Sequence, residues 1–223
     1  MTSAARRGVE AVLFDFDHTL GVDHKLEETV LLELSQRYCA APLTGEQIGA
    51  ALALFRSGIV RLADMIRTAL AGCSYGGDIV DLYKSLALEL VPARLEPTPG
   101  AARTIAALEA RGLAVAILSN GWTELQMAKA AAIGFEGSVY VSESIGAWKP
   151  DTRAFEIATQ GLDVSPQRSI YVGDSPLTDV VGAKNAGMLT VWADLEAQAY
   201  PDGVTAPDFS ITSLDQVVGL VCA

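Results

Sequence analysis

Asp15 and Asp17, in the stretch Asp15-Phe-Asp17-His-Thr19-Leu20, are two carboxylates one residue apart. Such a pair offers a nucleophile, a proton donor and acceptor, and hard oxygen ligands for a cation. The chain has 14 aspartates, so about one Asp-x-Asp pair is expected by chance, and the same residues would serve in a turn with Asp17 or Thr19 as a helix cap. Ser119-Asn120-Gly121 places a small hydroxyl and backbone N–H groups ahead of a helix, an arrangement that holds phosphate or simply caps the helix. Lys149, one of five lysines, stands before Pro150 and Asp151. There it is either a positioned cation or an exposed lysine ahead of a helix start. Gly173-Asp174-Ser-Pro-Leu-Thr-Asp179 carries two more carboxylates, able to hold Mg²⁺ or to cap a helix entrance.

The elements around these residues give them a common location. Apolar runs at 9–15, 113–118, 138–141, 169–172 and 188–192 read as buried strands. Helical patterns at 100–111, 122–133, 151–161 and 177–186 separate the later ones, each ending near a glycine. Such alternation predicts an α/β fold with a parallel sheet and helices on both faces. Ligands of open α/β sheets bind beyond the carboxyl ends of the strands. Asp15, Asp17, Ser119, Lys149, Asp174 and Asp179 all follow such ends, so they are expected to meet in one cleft. Residues 21–95 break the alternation. They read as helices near 25–38, 44–56, 59–71 and 78–91, without a strand, and Pro97-Thr-Pro-Gly100 marks the return to alternation.

Taken in order, Asp15-x-Asp17-x-Thr19, Ser119-Asn120, Lys149-Pro150 and Gly173-Asp174-Ser-x-x-x-Asp179 resemble the four motifs of the haloacid dehalogenase-like hydrolase superfamily. The resemblance covers nearly the whole chain. It implies a Rossmann-like core over 1–20 and 96–223, with an all-α cap at 21–95. It implies Mg²⁺ and phosphatase activity on a small phosphorylated metabolite through an aspartyl-phosphate. By resemblance Asp15 is the nucleophile and a metal ligand. Asp17 is the acid and base, with its carbonyl on the metal. Ser119 and Asn120 are substrate-binding, and Lys149 neutralises both nucleophile and phosphoryl group. Asp174 is a metal ligand, and Asp179 supports the metal site. His18 departs from the family, where glycine is usual, and a histidine tolerates positive φ better than a β-branched residue does.

Asp17 argues against the 2-haloacid dehalogenases of this fold, which do without an acid/base aspartate and a metal, and against the phosphonate-cleaving branch. A sugar phosphomutase would have a histidine ten residues after Asp17, where this chain has Glu27; the nearest is His24. Intact catalytic residue types argue against a degenerate phosphate-binding domain. Within the insert, Phe55, Arg56, Arg61 and Arg67 are the candidates for substrate selectivity, or ordinary helix residues.

The 223 residues carry a formal charge of −11, with 50% hydrophobic and 19% charged residues. That composition suits a packed core and opposes non-specific nucleic-acid binding. Residues 21–95 hold nine acidic and seven basic residues, leaving most of the negative charge in the rest. No apolar run approaches the roughly 20 residues of a membrane helix. The start of the chain faintly resembles an export signal, but Glu10, Asp15 and Asp17 interrupt its apolar stretch. Cys39, Cys73 and Cys222 are scattered and odd in number, which predicts no metal spacing, no disulfide framework and, most simply, a reducing cytoplasm.

Overall fold

The computed structural model describes residues 8–23, 25–56 and 60–221, with the Arg56 side chain outside the description. The signal-like start, His24 and Cys222 also lie outside the described residues. β1 (Ala11–Phe14) and β2 (Gly21–Asp23) precede four helices: α1 (Leu26–Tyr38), α2 (Gly45–Arg56), α3 (Leu62–Ala69) and α4 (Ile79–Arg94). Then come β3 (Leu95–Pro97), α5 (Ala101–Glu109), β4 (Ala114–Ser119), α6 (Thr123–Ala132), β5 (Ser138–Val141) and α7 (Ser142–Ile145). The chain ends in α8 (Thr152–Gly161), β6 (Ser169–Gly173), α9 (Gly182–Asn185), β7 (Leu189–Ala193), β8 (Phe209–Ile211) and α10 (Asp215–Leu220). It divides into two compact units, Met1–Val22 with Glu96–Ala223, and Asp23–Leu95.

The first unit is a Rossmann-like α/β fold. Its six-stranded sheet has the order β5-β4-β1-β6-β7-β8, with every pairing parallel. Ala11, Val12, Leu13 and Phe14 are all fully buried, although successive strand residues point to opposite faces. Ala11 and Leu13 join a cluster with Phe155 and Ala158 of α8 and Ala183 of α9. Val12 and Phe14, on the opposite side, are equally dry, so both faces are covered. α5 packs on β4 and α10.

The second unit is helical. α1 packs against α2 and α4, and α3 against α2 and α4. Buried Val30 and Leu34 on α1, and Ile79, Tyr83 and Ala87 on α4, recur at intervals of four, so each helix turns one apolar stripe inward.

Three sequence expectations are corrected. Residues 21–95 are not free of strand: β2 and β3 form a two-stranded sheet of their own. Three-residue strands are too short to leave a periodic signal. The helix expected at 177–186 opens as a π-helical turn, Pro176–Val181, before α9. Cys39 and Cys73 are disulfide-bonded. They are 34 residues apart, but the turn after α3 returns alongside the end of α1, where Ser74 N–H donates to Tyr38 O (2.9 Å). The expectation of a reducing compartment loses its cysteine argument. Among the described residues no helix is long and apolar enough to cross a membrane.

Gly182 sits where α9 meets α8. A Cβ there would lie 2.7 Å from the Phe155 ring and 2.9 Å from Cα of Pro150. Gly182→Ala should therefore destabilise the chain by about 1–3 kcal/mol through overpacking. Exposed Gly219 on α10 meets nothing within 4 Å, and Gly219→Ala should be neutral or stabilising by up to about 1 kcal/mol. Urea unfolding followed by circular dichroism checks both; equal effects at the two glycines would contradict this packing.

Candidate active site

The sheet register brings the motif residues to one edge. Phe14 lies opposite Ile117 on one side and Val172 on the other, so Asp15, Ser119 and Asp174 all emerge at the carboxyl ends of adjacent strands. Asp15 N–H donates to Val172 O (2.8 Å), extending the ladder to the first carboxylate.

Lys149 is the centre of the cluster. Its side chain is 2% exposed, and Nζ donates to Asp15 Oδ1 (2.7 Å), Asp179 Oδ1 (2.7 Å) and the Tyr171 hydroxyl (2.8 Å). An ammonium has three protons, and all three are matched. The Tyr171 hydroxyl in turn donates to Leu118 O (2.8 Å). Burial alone would lower the lysine's pKa, but Asp15 and Asp179 more than reverse this and raise it. Burial pushes Asp15 up to about 6 despite Lys149, helped by the charges of Asp179 and Asp17. Burial, then Asp179 and Asp15, push Asp174 up to about 8. Asp179 also accepts from Ser175 N–H (3.0 Å) at its second oxygen. Asp15, Asp174 and Asp179 each offer one carboxylate oxygen, all within 4.8 Å of one another. Three crowded carboxylates beside one lysine leave an excess of negative charge. An all-oxygen donor set of this kind fits a hard divalent cation such as Mg²⁺.

The loops around the cluster hold one another. Asn120 Nδ2 donates to Lys149 O and Asn120 Oδ1 accepts from Lys149 N–H, both at 2.9 Å. The Asn120 side chain thus pins the lysine's backbone. Ser119 is buried, and its hydroxyl makes a long contact, 3.4 Å, with Asn120 O. The backbone N–H groups expected to be free for phosphate are partly engaged. Gly121 N–H donates to Ser142 Oγ (2.9 Å) and Thr123 N–H to Glu143 Oε2 (2.8 Å).

Asp17 bonds to a different lysine. Its Oδ1 accepts from Lys129 Nζ (2.7 Å) and its Oδ2 from Gln126 Nε2 (2.9 Å). Burial would raise this carboxyl, but Lys129 and then Gln126 hold it below its ordinary value. His18 takes φ 58°, as a glycine substitute must, and its Nδ1 lies 2.8 Å from Glu196 Oε1. Tyr171, Gln126, Lys129, Ser142 and Glu143 were not foreseen as site residues. The one available signal was a tyrosine inside an apolar strand, since a buried hydroxyl needs a partner. In the helical unit Arg67 pairs with Asp78 (3.3 Å), Arg61 is exposed and Phe55 is half-buried.

The model of the haloacid dehalogenase-like hydrolases matches residues 9–187. The chain belongs to this family. The hydrolase is 36% identical over 122 residues to the phosphoserine phosphatase of Thermus thermophilus, 53% of this chain and 49% of that one. It is 26% identical over 238 residues to the glyceraldehyde 3-phosphate phosphatase of Methanocaldococcus jannaschii, 96% of this chain and 97% of that one. The chain thus spans about half the length of the Thermus relative it matches. Its structure is similar to the HAD phosphatase of Thermococcus onnurineus, with a TM-score of 0.75 at 25% identity, covering 96% and 98% of the two chains. The 2-haloacid dehalogenase of Pseudomonas syringae shares the fold, with a TM-score of 0.71 at 22% identity over 96% and 98%.

The raised carboxyls make a signed prediction. Without a cation, folded Asp15 and Asp174 hold protons that the unfolded chain releases above about pH 4. Their contribution to stability therefore falls as pH rises from about 4 through 6 and 8. A bound cation favours the ionised carboxylates. The rise in Tm on saturating with Mg²⁺ should thus be larger at pH 8 than at pH 5; equal rises would contradict the carboxylate site.

Proposed function

We propose that this hydrolase is a Mg²⁺-dependent phosphomonoesterase that acts on a small phosphorylated metabolite through a phosphoryl group carried on Asp15. One observation carries the reading: the Asp15 carboxylate, in direct contact with buried Lys149, belongs to a cluster with Asp174 and Asp179. That arrangement suits an anionic electrophile, because phosphoryl transfer depends mainly on placement and charge neutralisation.

In this reading one Asp15 carboxylate oxygen attacks phosphorus in line with the ester oxygen. The phosphorus–ester bond breaks, and Asp17, which must first take up a proton because Lys129 and Gln126 hold its carboxyl low in the free chain, gives that proton to the departing alkoxide. Water then attacks the same phosphorus, Asp17 takes a proton from it, and the bond from phosphorus to Asp15 breaks to release inorganic phosphate. Lys149 offsets the charge of nucleophile and phosphoryl group in both steps. The Ser119 hydroxyl and the backbone of the 119–120 turn hold the phosphoryl oxygens. Asp15, the Asp17 carbonyl and Asp174, supported by Asp179, would hold Mg²⁺, whose charge further reduces the repulsion between carboxylate and phosphate. Selectivity among esters is assigned to the helical segment 21–95. The dehalogenase alternative has no use for Asp17 or for a cation.

The chain should hydrolyse p-nitrophenyl phosphate with Mg²⁺ present. Excess EDTA should abolish the activity and Mg²⁺ should restore it. Asp15→Asn should lower kcat at least about a thousandfold, as expected for loss of a covalent nucleophile. Undiminished turnover in EDTA, or an active Asp15→Asn chain, would overturn the reading.

A further inference from the structure

α6 brings two polar side chains to a single carboxylate. Gln126 and Lys129 are three residues apart, so they share one face of the helix. Both are buried, each 4% exposed, on a helix otherwise rich in alanine. A buried ammonium and a buried amide need partners. Both donate to Asp17, one to each carboxylate oxygen.

Two further details point to aim rather than to packing. The Gln126 amide nitrogen donates to Asp17, and also lies 3.4 Å from Asn120 O, while its oxygen has no partner among the described residues. An apolar side chain would fill that space without leaving a buried oxygen unmatched. Gly121, at φ 149°, lies beneath the amide. A Cβ on Gly121 would come within 2.8 Å of Gln126 Nε2, so the glycine of the Ser119-Asn120-Gly121 turn clears the route to Asp17.

We propose that Lys129 and Gln126 are positioning residues for Asp17: they grip its two oxygens from α6 and fix the carboxylate in one orientation for both proton transfers. Each carboxylate oxygen retains a second lone pair, and the Asp17 side chain is 33% exposed, so the grip leaves an open side for leaving group and water. The inference rests on the phosphatase reading. It goes beyond that reading by assigning function to two residues outside the four motifs. α6 thereby connects the turn that holds phosphate to the group that moves protons.

The test is a double-mutant cycle with two independent entries. Lys129→Met and Gln126→Leu are each made in the parent and in Asp17→Asn. kcat and KM are measured with ethyl phosphate and with p-nitrophenyl phosphate in Mg²⁺. In the parent background each variant should lower kcat for ethyl phosphate by about 10- to 100-fold, a part of the worth of a general acid, with KM held within about twofold. With p-nitrophenyl phosphate, whose leaving group needs no proton, the nitrophenol burst should keep nearly the parent rate while steady turnover, which still needs Asp17 as base, falls. In Asp17→Asn the same changes should cost no more than about twofold, because the group they orient is already disabled. If Lys129→Met does not fold, Gln126→Leu, which leaves no unpaired charge, carries the same test. Parent-like kcat, or equal losses in both backgrounds, would overturn the positioning role while leaving the phosphatase reading intact. A parent chain inert toward both esters would overturn the reading and this inference together.

Discussion

The buried Lys149 ammonium is the constraint on which the site depends. It is nearly sealed from water, and its three protons are matched by two carboxylates and one phenol. Removing any one partner would leave part of a buried charge unmatched, a loss of about 3–5 kcal/mol when a whole charge is left alone. The two ion pairs and the hydrogen bond draw together residues from three places in the chain. Asp15 comes from the end of β1, Tyr171 from β6 and Asp179 from the π-helical turn. Two carboxylates of the cluster and the sheet core are therefore tied to one cation.

That cation has to arrive at a fixed height. Asn120 sets it by binding both backbone polar groups on the Lys149 peptide. On the other side Gly173 allows Asp179 to approach, since a Cβ at Gly173 would fall on the Asp179 carboxylate. Two residues with no acid–base chemistry of their own thus decide whether the charged residues meet. Asp17 bonds to a lysine of its own, Lys129, and not to Lys149, so the group proposed to move protons is held separately from the group proposed to form the covalent bond.

Much of this was legible in the sequence. Asp15, Ser119 and Asp174 each end an apolar run, so parallel pairing alone brings them to one edge. The carboxylates, the lysine and the α/β alternation were recognisable for the same reason: each signal is local. What could not be read is contact at long range. Lys129 meets Asp17 across 112 residues, and Tyr171 meets Lys149 across 22. Nothing in the pattern Gln-Met-Ala-Lys distinguishes an aimed pair from a solvated helix face. The Cys39–Cys73 bond has no motif spacing, and β8, three residues long, has no period to detect. The pair of bonds from the Asn120 amide to the Lys149 backbone spans 29 residues and likewise leaves no local signal.

The central claim is that Asp15 becomes covalently phosphorylated and that Asp17 completes its turnover. Asp17→Asn keeps the side chain's shape and removes both proton transfers. With p-nitrophenyl phosphate and Mg²⁺ this variant should release a burst of nitrophenol approaching one per chain and then stall. Mass spectrometry of the acid-quenched protein should find a single phosphoryl group on the peptide containing Asp15, absent when Asp15 is also changed to Asn. Nitrophenol release at the parent's steady rate, with no phosphoryl group on Asp15, would contradict the account.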